Sequence, residues 1–388
     1  MKAKKFYCHM ALDGKDYLLP YGQNIADFQK CIQTNAAGVM IWQVLQQEKS
    51  LEELTAALAQ SCQVSEENLP TLKKDIEEYT GILSDYGILE KYQKTSTVYQ
   101  EHNIQIGPLY ISLFVPDTLF QRYFAQFACV SNAENCHQKL QIHFYRPVLH
   151  DNGTVLVRNQ DVIILDGDNK YVFLFPVYSS IHEMHVSKDG ETAELYCDPA
   201  RMNEAEEEIF HGIRFAFLVL AQKQGLYFIH SASLCYRGEA WLFSGSSGTG
   251  KSTHTNLWKK HFGTEVLNGD LNMVGEKNGL PVVYGQPWCG TSGICTPDAY
   301  PLGGIVFLKQ SSENVCRELE THKKILDCTQ RMISPSWTEK LLLQNVHFGE
   351  WLVSKTAVFH LWCTVEKEAA EIMKKRIDAW YDERQARK

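Results

Sequence analysis

Eight residues constrain this chain more than any others. Gly245-Ser246-Ser247-Gly248-Thr249-Gly250-Lys251-Ser252 fits G-x-x-x-x-G-K-[ST] at every fixed position. Few folds are open to such a string. Its glycines reach positive φ without a Cβ penalty, so the backbone can turn N–H groups inward around a phosphate. The apolar run Ala240–Phe243 before it reads as a strand, and Lys251–His261 after it as a helix. Strand, loop and helix in that order are the context phosphate binding requires, because the helix N-terminus adds partial positive charge. Lys251 is placed to reach the β- and γ-phosphates, and the Ser252 hydroxyl to ligate Mg²⁺. Residues 245–252, with Thr253 directly after them, are the expected nucleotide contacts. ATP is the expected nucleotide, GTP its alternative, and Mg²⁺ the expected ion.

A nucleotide-bound Mg²⁺ also needs a carboxylate, usually at the end of a neighbouring strand. Thr264-Glu265-Val266-Leu267 reads as that strand, and Asn268-Gly269-Asp270 ends it. Asp270 is the expected metal ligand; the competing reading is a turn aspartate, since Asn-Gly-Asp is strong turn chemistry. His230 lies in the apolar run Phe228-Ile229-His230-Ser231-Ala232, where a lone histidine more often fills a core than moves a proton. Gln286–Gly293 is Gly-rich and aromatic. Its Trp288, Cys289, Gly290 and Thr291 read either as a substrate-facing loop or as an ordinary surface loop with a buried tryptophan.

At 388 residues, two or three domains are expected. Lys+Arg 38 against Asp+Glu 46 gives a net charge of −8, which argues against a nucleic-acid partner. The basic start is followed by no long apolar stretch before Asp13 and Asp16, so it does not read as a signal peptide. Apolar runs such as Phe215–Ala221 fall far short of the ~20 residues of a membrane span. A soluble, cytoplasmic chain without a membrane partner is expected. The 12 cysteines include no C-x-x-C pair and read as reduced thiols.

Three regions are expected: 1–92, a polar linker at 93–102, and 103–388, itself split into a strand-rich lobe at 103–200 and a nucleotide-binding part at 203–388. In the first, Lys5–Leu12 and Asp16–Leu19 flank Asp13-Gly14, a hairpin signal. A short extended piece follows at Lys30–Thr34. Helices are expected at Ala36–Gln46, at Ser50–Gln60 with a Ser50/Glu53 capping box, and at Glu66–Tyr86. Strands then three short helices fit a small winged-helix (α+β) fold. Further on, strands are expected at Leu109–Val115, Leu140–Tyr145, Asp161–Leu165, Tyr171–Phe175 and Glu194–Tyr196. A turn is expected at Asp151-Asn152-Gly153, a helix at Asn203–Gln224, and strands at Leu226–Cys235 and Glu239–Ser244.

Residues 226–310 resemble the HPr kinase and phosphoenolpyruvate-carboxykinase-like group of P-loop kinases. The resemblance rests on His230-Ser231-Ala232-Ser233, the 245–252 loop, Asn268-Gly269-Asp270 and Pro301-Leu302-Gly303-Gly304-Ile305-Val306-Phe307-Leu308. It implies an α/β kinase domain in which Lys251 and Asp270 are catalytic. That group carries an adjacent Asp-Asp pair, as metal ligand and as base for the acceptor hydroxyl; here the first position is Gly269. Asp270 then does both jobs, or His230 or Asn268 helps. The group also usually has an acidic residue after the GKS, where this chain has Thr253. Homo-oligomers are frequent in the group.

Residues 5–91 resemble a PqqD-like domain, a recognition element for the leader peptides of ribosomally made, modified peptides. The resemblance lies in Tyr17-Leu18-Leu19-Pro20, the run Thr34–Trp42, and Ile82–Leu89. It implies that a leader adds as a strand beside the last helix. Cys31, Ile32 and Gln33 would form the edge, with Asp75 and Tyr79 on the helix. Together the two resemblances imply an ATP-dependent kinase acting on a Ser or Thr hydroxyl of a docked precursor peptide. The alternatives are a kinase of a small metabolite or carrier protein, and a nucleotide-gated peptide-binding protein without kinase activity.

Overall fold

The structure, a computed structural model, describes residues 1–26, 31–90, 99–130, 136–144, 153–198 and 205–386. Lys30, residues 91–98 with linker residues 93–98 among them, Tyr145, Asp151, Asn152 and Asn203 lie outside them. The chain is mixed α/β and divides into two units.

One unit comprises Met1–Val98, Ile142–His185 and Glu194–Ile209. Tyr7–Leu12 and Lys15–Pro20 pair antiparallel through Asp13 (φ 49) and Gly14 (φ 71). Positive φ at both central residues matches the twist of the flanking strands, hence the Asp-Gly pair. Ile32–Thr34 joins Lys15–Pro20 with Leu18 opposite Ile32, and among the described residues it is the last strand of that sheet. Helices follow at Ala36–Val44, Leu51–Cys62 and Leu69–Asp85. Ser50 accepts the Glu53 N–H and the Glu53 carboxylate accepts the Ser50 N–H, completing the capping box. The third helix starts at Leu69 rather than Glu66, after a single 3₁₀ turn at Glu66–Asn68. Pro70 has no N–H to donate and fits only the first turn of an α-helix, which sets that start. Leu18, Ile32, Ile41, Leu54, Leu58, Ile76 and Leu83 share the core. Lys2–Ala3 pairs with Leu89–Glu90, a two-residue closure too short to have a sequence signature. Farther along, Thr154–Arg158, Ile163–Asp166 and Lys170–Leu174 form an antiparallel meander.

The other unit comprises Tyr99–Gln141, Val186–Ala193 and Phe210–Lys388. Its central strand is Tyr227–Tyr236. Residues 231–236 pair antiparallel with Glu239–Ser244, with Ser231 opposite Ser244. The strand also pairs antiparallel with Glu265–Asn268 and, over 227–230, with Leu271–Lys277. Glu239–Ser244 runs parallel to Ala299–Gln310, and that strand runs parallel to Ala357–Cys363. The 245–250 loop therefore leaves the carboxyl end of a parallel strand, where ligands of open α/β sheets bind.

Alternation along Glu239–Ser244 sorts the core onto two faces. Trp241 and Phe243 pack with Trp258 of helix Lys251–Phe262 and with Met373 and Ile377 of helix Lys367–Ala386. Ala240 and Leu242 pack on the opposite face with Cys328 of helix Thr321–Gln330 and Phe348 and Leu352 of helix Glu339–Lys355. Apolar burial on both faces explains why this strand reads as a continuous apolar run. Among the described residues no helix is long and apolar enough to cross a membrane.

Candidate active site

The Gly-rich loop is held in shape by its own side chains. Gly245, Gly248 and Gly250 have φ of 154, 76 and 94. A Cβ on Gly245 would lie 2.7 Å from Thr249 Oγ1 and 2.8 Å from the Leu308 carbonyl. Thr249 N–H and Oγ1 both donate to the Ser246 carbonyl, at 3.2 and 2.8 Å, closing a turn inside the loop. Gln310 Nε2, at the end of the neighbouring parallel strand, donates to the Gly248 carbonyl at 2.9 Å. Ser246, Ser247 and Gly248 are exposed, as are Ser252 and Thr253 in the first turn of the helix. Lys251 folds over the loop, donating through Nζ to the Gly245 and Ser246 carbonyls at 3.4 and 3.3 Å.

Asp270 is brought beside His230 through a break in strand pairing. Asn268 is buried, and its Oδ1 accepts the N–H groups of Asp270 and Leu271 at 2.9 and 3.0 Å. That is an Asx turn, the local chemistry expected of Asn-Gly-Asp. It interrupts the edge of Tyr227–Tyr236 so that Ser231 N–H donates to the Asp270 carbonyl at 3.0 Å. His230, the residue before, places Nδ1 3.8 Å from Asp270 Oδ1. Both side chains are about one-third exposed, at 35% and 37%. Burial and then the Lys251 ammonium hold the His230 imidazole below its ordinary range, with Asp270 pulling the other way and Arg331 adding to the fall. Burial likewise lowers Lys251, opposed by Asp270. The net direction favours the neutral imidazole over the imidazolium.

Arg331 is the site residue that sequence reading missed. It follows helix Thr321–Gln330, donates through Nη2 to Ser246 Oγ at 3.2 Å, and offers its carbonyl to the His230 N–H at 2.9 Å. It lies in no motif, and no local pattern could have assigned it here. The fold thus brings together Lys251, His230, Asp270, Ser246 and Arg331, separated by up to 101 positions (331 − 230) in the sequence.

The 286–293 loop meets the same carboxylate, but not with every residue expected of it. Trp288 is 2% exposed, stacks on Phe210 with Phe217 tilted against it, and donates Nε1–H to the Phe210 carbonyl at 3.1 Å. Its indole is an anchor rather than a substrate contact, because a large apolar ring with one satisfied polar atom gains most from burial. Gln286 ties the anchor down, donating to the Leu271 and Trp288 carbonyls at 2.6 and 2.9 Å and accepting the Trp288 N–H at 2.7 Å. Cys289 is half-buried, and Gly290 and Thr291 are exposed. A Cβ on Gly290 would lie 2.8 Å from Asp270 Cβ, so the turn packs directly on the carboxylate. A Cβ on Gly269 would overlap the Ser292 side chain. The space that a carboxylate at position 269 would occupy is filled by Ser292.

The expected docking residues lie in the N-terminal unit. Cys31 and Gln33 are exposed on either side of Ile32, which points into the core at 8% exposure. Ile32 therefore contributes backbone to the edge and not its side chain. Tyr79 hydrogen-bonds Thr34 on the edge strand, tying the helix to it. Gly38 sits under this pair, with no room for a Cβ. Exposed Asp75, half-buried Tyr79, and Ile82 and Tyr86, each 44% exposed, form a stripe at helical spacing on Leu69–Asp85 and its C-cap.

The sheet and the Gly-rich loop define a mixed α/β chain whose N-terminal part is PqqD-like: residues 12–89 match the family described as Coenzyme PQQ synthesis protein D (PqqD). Among solved structures the chain is similar to "TbiB1 in Complex with the TbiA(beta) Leader Peptide". The identity is 23%, over 24% of this chain and 100% of that one, with a TM-score of 0.20. No curated protein matches the chain.

Proposed function

We propose that this protein is an ATP-dependent kinase that phosphorylates a Ser or Thr hydroxyl of a ribosomally made precursor peptide, docked through its PqqD-like domain. The observation that carries the reading is the meeting of His230 and Asp270 at the mouth of the Gly-rich loop, beside Lys251. Phosphoryl transfer asks a protein mainly for positioning and charge neutralisation, which is what these residue types supply. The loop amides and Lys251 hold the phosphates. Ser252 and Asp270 are hard oxygen donors of the kind Mg²⁺ takes, and the bound ion would offset phosphate charge. Arg331, which bonds Ser246 in the loop, adds a second cation to that end of the site.

The structure favours a division of labour over the acceptor proton. Only one carboxylate stands at 269–270, and Ser292 occupies the place of another. Asn268 is spent as a backbone cap. That leaves His230, neutral and within reach of Asp270, to accept the proton while Asp270 serves the metal. In the N-terminal unit, an edge strand beside a stripe of half-buried Tyr79 and exposed Ile82 and Tyr86 suits an extended leader: main-chain pairing supplies affinity, and the stripe supplies selectivity.

Mass spectrometry of candidate precursor peptides incubated with the protein, ATP and Mg²⁺ tests the reading. One added phosphate on a Ser or Thr is expected, with transfer reduced about 10²–10³-fold by Lys251→Ala. A peptide that binds and gains no phosphate would favour nucleotide-gated presentation instead.

A further inference from the structure

Strand Tyr227–Tyr236 changes partners beside the residue proposed as base. Over 231–236 one of its edges pairs with Glu239–Ser244, and that pairing ends with Ser231 opposite Ser244. Over 228–230 the same edge meets the segment that follows helix Thr321–Gln330. Ile333 N–H donates to the Phe228 carbonyl at 3.0 Å, Ile229 bridges antiparallel to Met332, and His230 N–H donates to the Arg331 carbonyl at 2.9 Å. The His230 carbonyl falls at the joint between the two partners. A buried carbonyl at such a joint costs free energy until something donates to it. The donor is Ser244 Oγ, at 2.7 Å. Ser244 is fully buried, at 0% exposure, and is the last strand residue before Gly245.

These bonds close a ring around the loop entrance. Ser244 Oγ holds the His230 carbonyl, the His230 N–H holds the Arg331 carbonyl, and Arg331 Nη2 returns to Ser246 Oγ at 3.2 Å. Gly245 joins Ser246 back to Ser244. The backbone that carries the His230 imidazole is thus gripped on both sides, and both grips lead to the Gly-rich loop. On the other edge of the strand, Ser231 N–H donates to the Asp270 carbonyl at 3.0 Å, so the same stretch also sets His230 against Asp270.

We propose that Ser244 is a positioning residue, whose hydroxyl fixes the backbone of His230 against the Gly-rich loop and so sets where the imidazole stands. The side chain of His230 swings from that backbone, and a shift of about 1 Å at a reacting group costs about 10²-fold in rate. The consequence for phosphorylation rests on the function proposed above; the grip on His230 does not.

The full chain carrying Ser244→Ala or Ser244→Thr, assayed with candidate precursor peptides, ATP and Mg²⁺, tests this. Ser244→Ala should lower kcat about 10²-fold and leave the KM for ATP within about twofold, and Ser244→Thr, which keeps the hydroxyl, should recover most of the loss. In a His230→Gln background Ser244→Ala should cost nothing further, because a residue acting through His230 has nothing left to position. An equal loss in both backgrounds overturns the proposal, as does full activity in Ser244→Ala. Ser244→Cys, of nearly the same size and with only a weak donor, gives the same comparison if Ser244→Ala does not fold. A second readout needs no transfer: NMR titration of histidine-labelled protein, with the His230 signal identified by its loss in His230→Gln. Burial and Lys251 lower that imidazole, so in Ser244→Ala, freed to move, it should titrate closer to the ordinary 6.5. A midpoint that Ser244→Ala leaves in place overturns the proposal. Unmutated protein that phosphorylates no peptide overturns the kinase reading, and the titration still decides Ser244.

Discussion

Burial and the Lys251 ammonium lower the His230 imidazole, so the base role proposed for it depends on pH in a definite direction. Its acid limit lies below the ordinary histidine value of 6.5: transfer is present above that limit and lost as pH falls through it. We expect an acid limb below pH 6.5 in kcat/KM, which reports the free enzyme. His230→Gln should flatten that limb and lower kcat about 10²–10⁴-fold; a limb unchanged in the variant would assign the proton to Asp270. A second residue-scale expectation concerns Gly269. Its Cβ would overlap Ser292, so Gly269→Ala should cost about 1–3 kcal/mol in denaturant unfolding. Ser292→Gly should recover most of that loss in a double-mutant cycle; simple additivity would show that the two positions do not meet. The sequence shows the missing carboxylate plainly but not what replaces it, because Ser292 approaches only through the folded loop.

Elements divide by whether their signal is local. Asp13-Gly14, the Ser50/Glu53 box and the strand–loop–helix around 245–252 are legible because each is specified within a few residues. The hairpin at Asn278 (φ 55) and Gly279 (φ 79), joining Leu271–Lys277 to Leu280–Tyr284, carries the same chemistry and was readable too. Docking as proposed is an element-scale property, set by one strand edge and one helix stripe. Ile82→Ser and Tyr86→Ser together should weaken leader binding about tenfold or more, roughly 1.4 kcal/mol, by calorimetry. Unchanged affinity would move the peptide to another surface. Ser50→Ala, in the same unit, should cost only about 1 kcal/mol of stability and leave leader affinity alone.

For the whole molecule, the fusion of a PqqD-like domain to the Gly-rich loop has a kinetic consequence under the proposed function. A docked leader makes the acceptor an intramolecular reactant, so affinity in one unit acts as concentration at the other. Isolated leader peptide added in trans should therefore inhibit phosphorylation of the full precursor. A core peptide lacking its leader should show a KM raised about 10²-fold or more with a smaller change in kcat. Inhibition by the leader of transfer to the leaderless core as well would point to competition at the active site rather than at a docking edge.

By itself the sequence determines the strand, loop and helix at 239–262 and the N-terminal hairpin, because glycine conformations, caps and alternation act over one or two turns. It also marks the turn at Asn268-Gly269-Asp270, which the Asn268 side chain closes. Only the tertiary structure decides that Trp288 is an anchor, that Ser292 stands over Gly269, and that Arg331 reaches Ser246. The reason is physical: a side chain's neighbours across a sheet are chosen by register and by the packing of remote helices. No spacing along the chain carries that information.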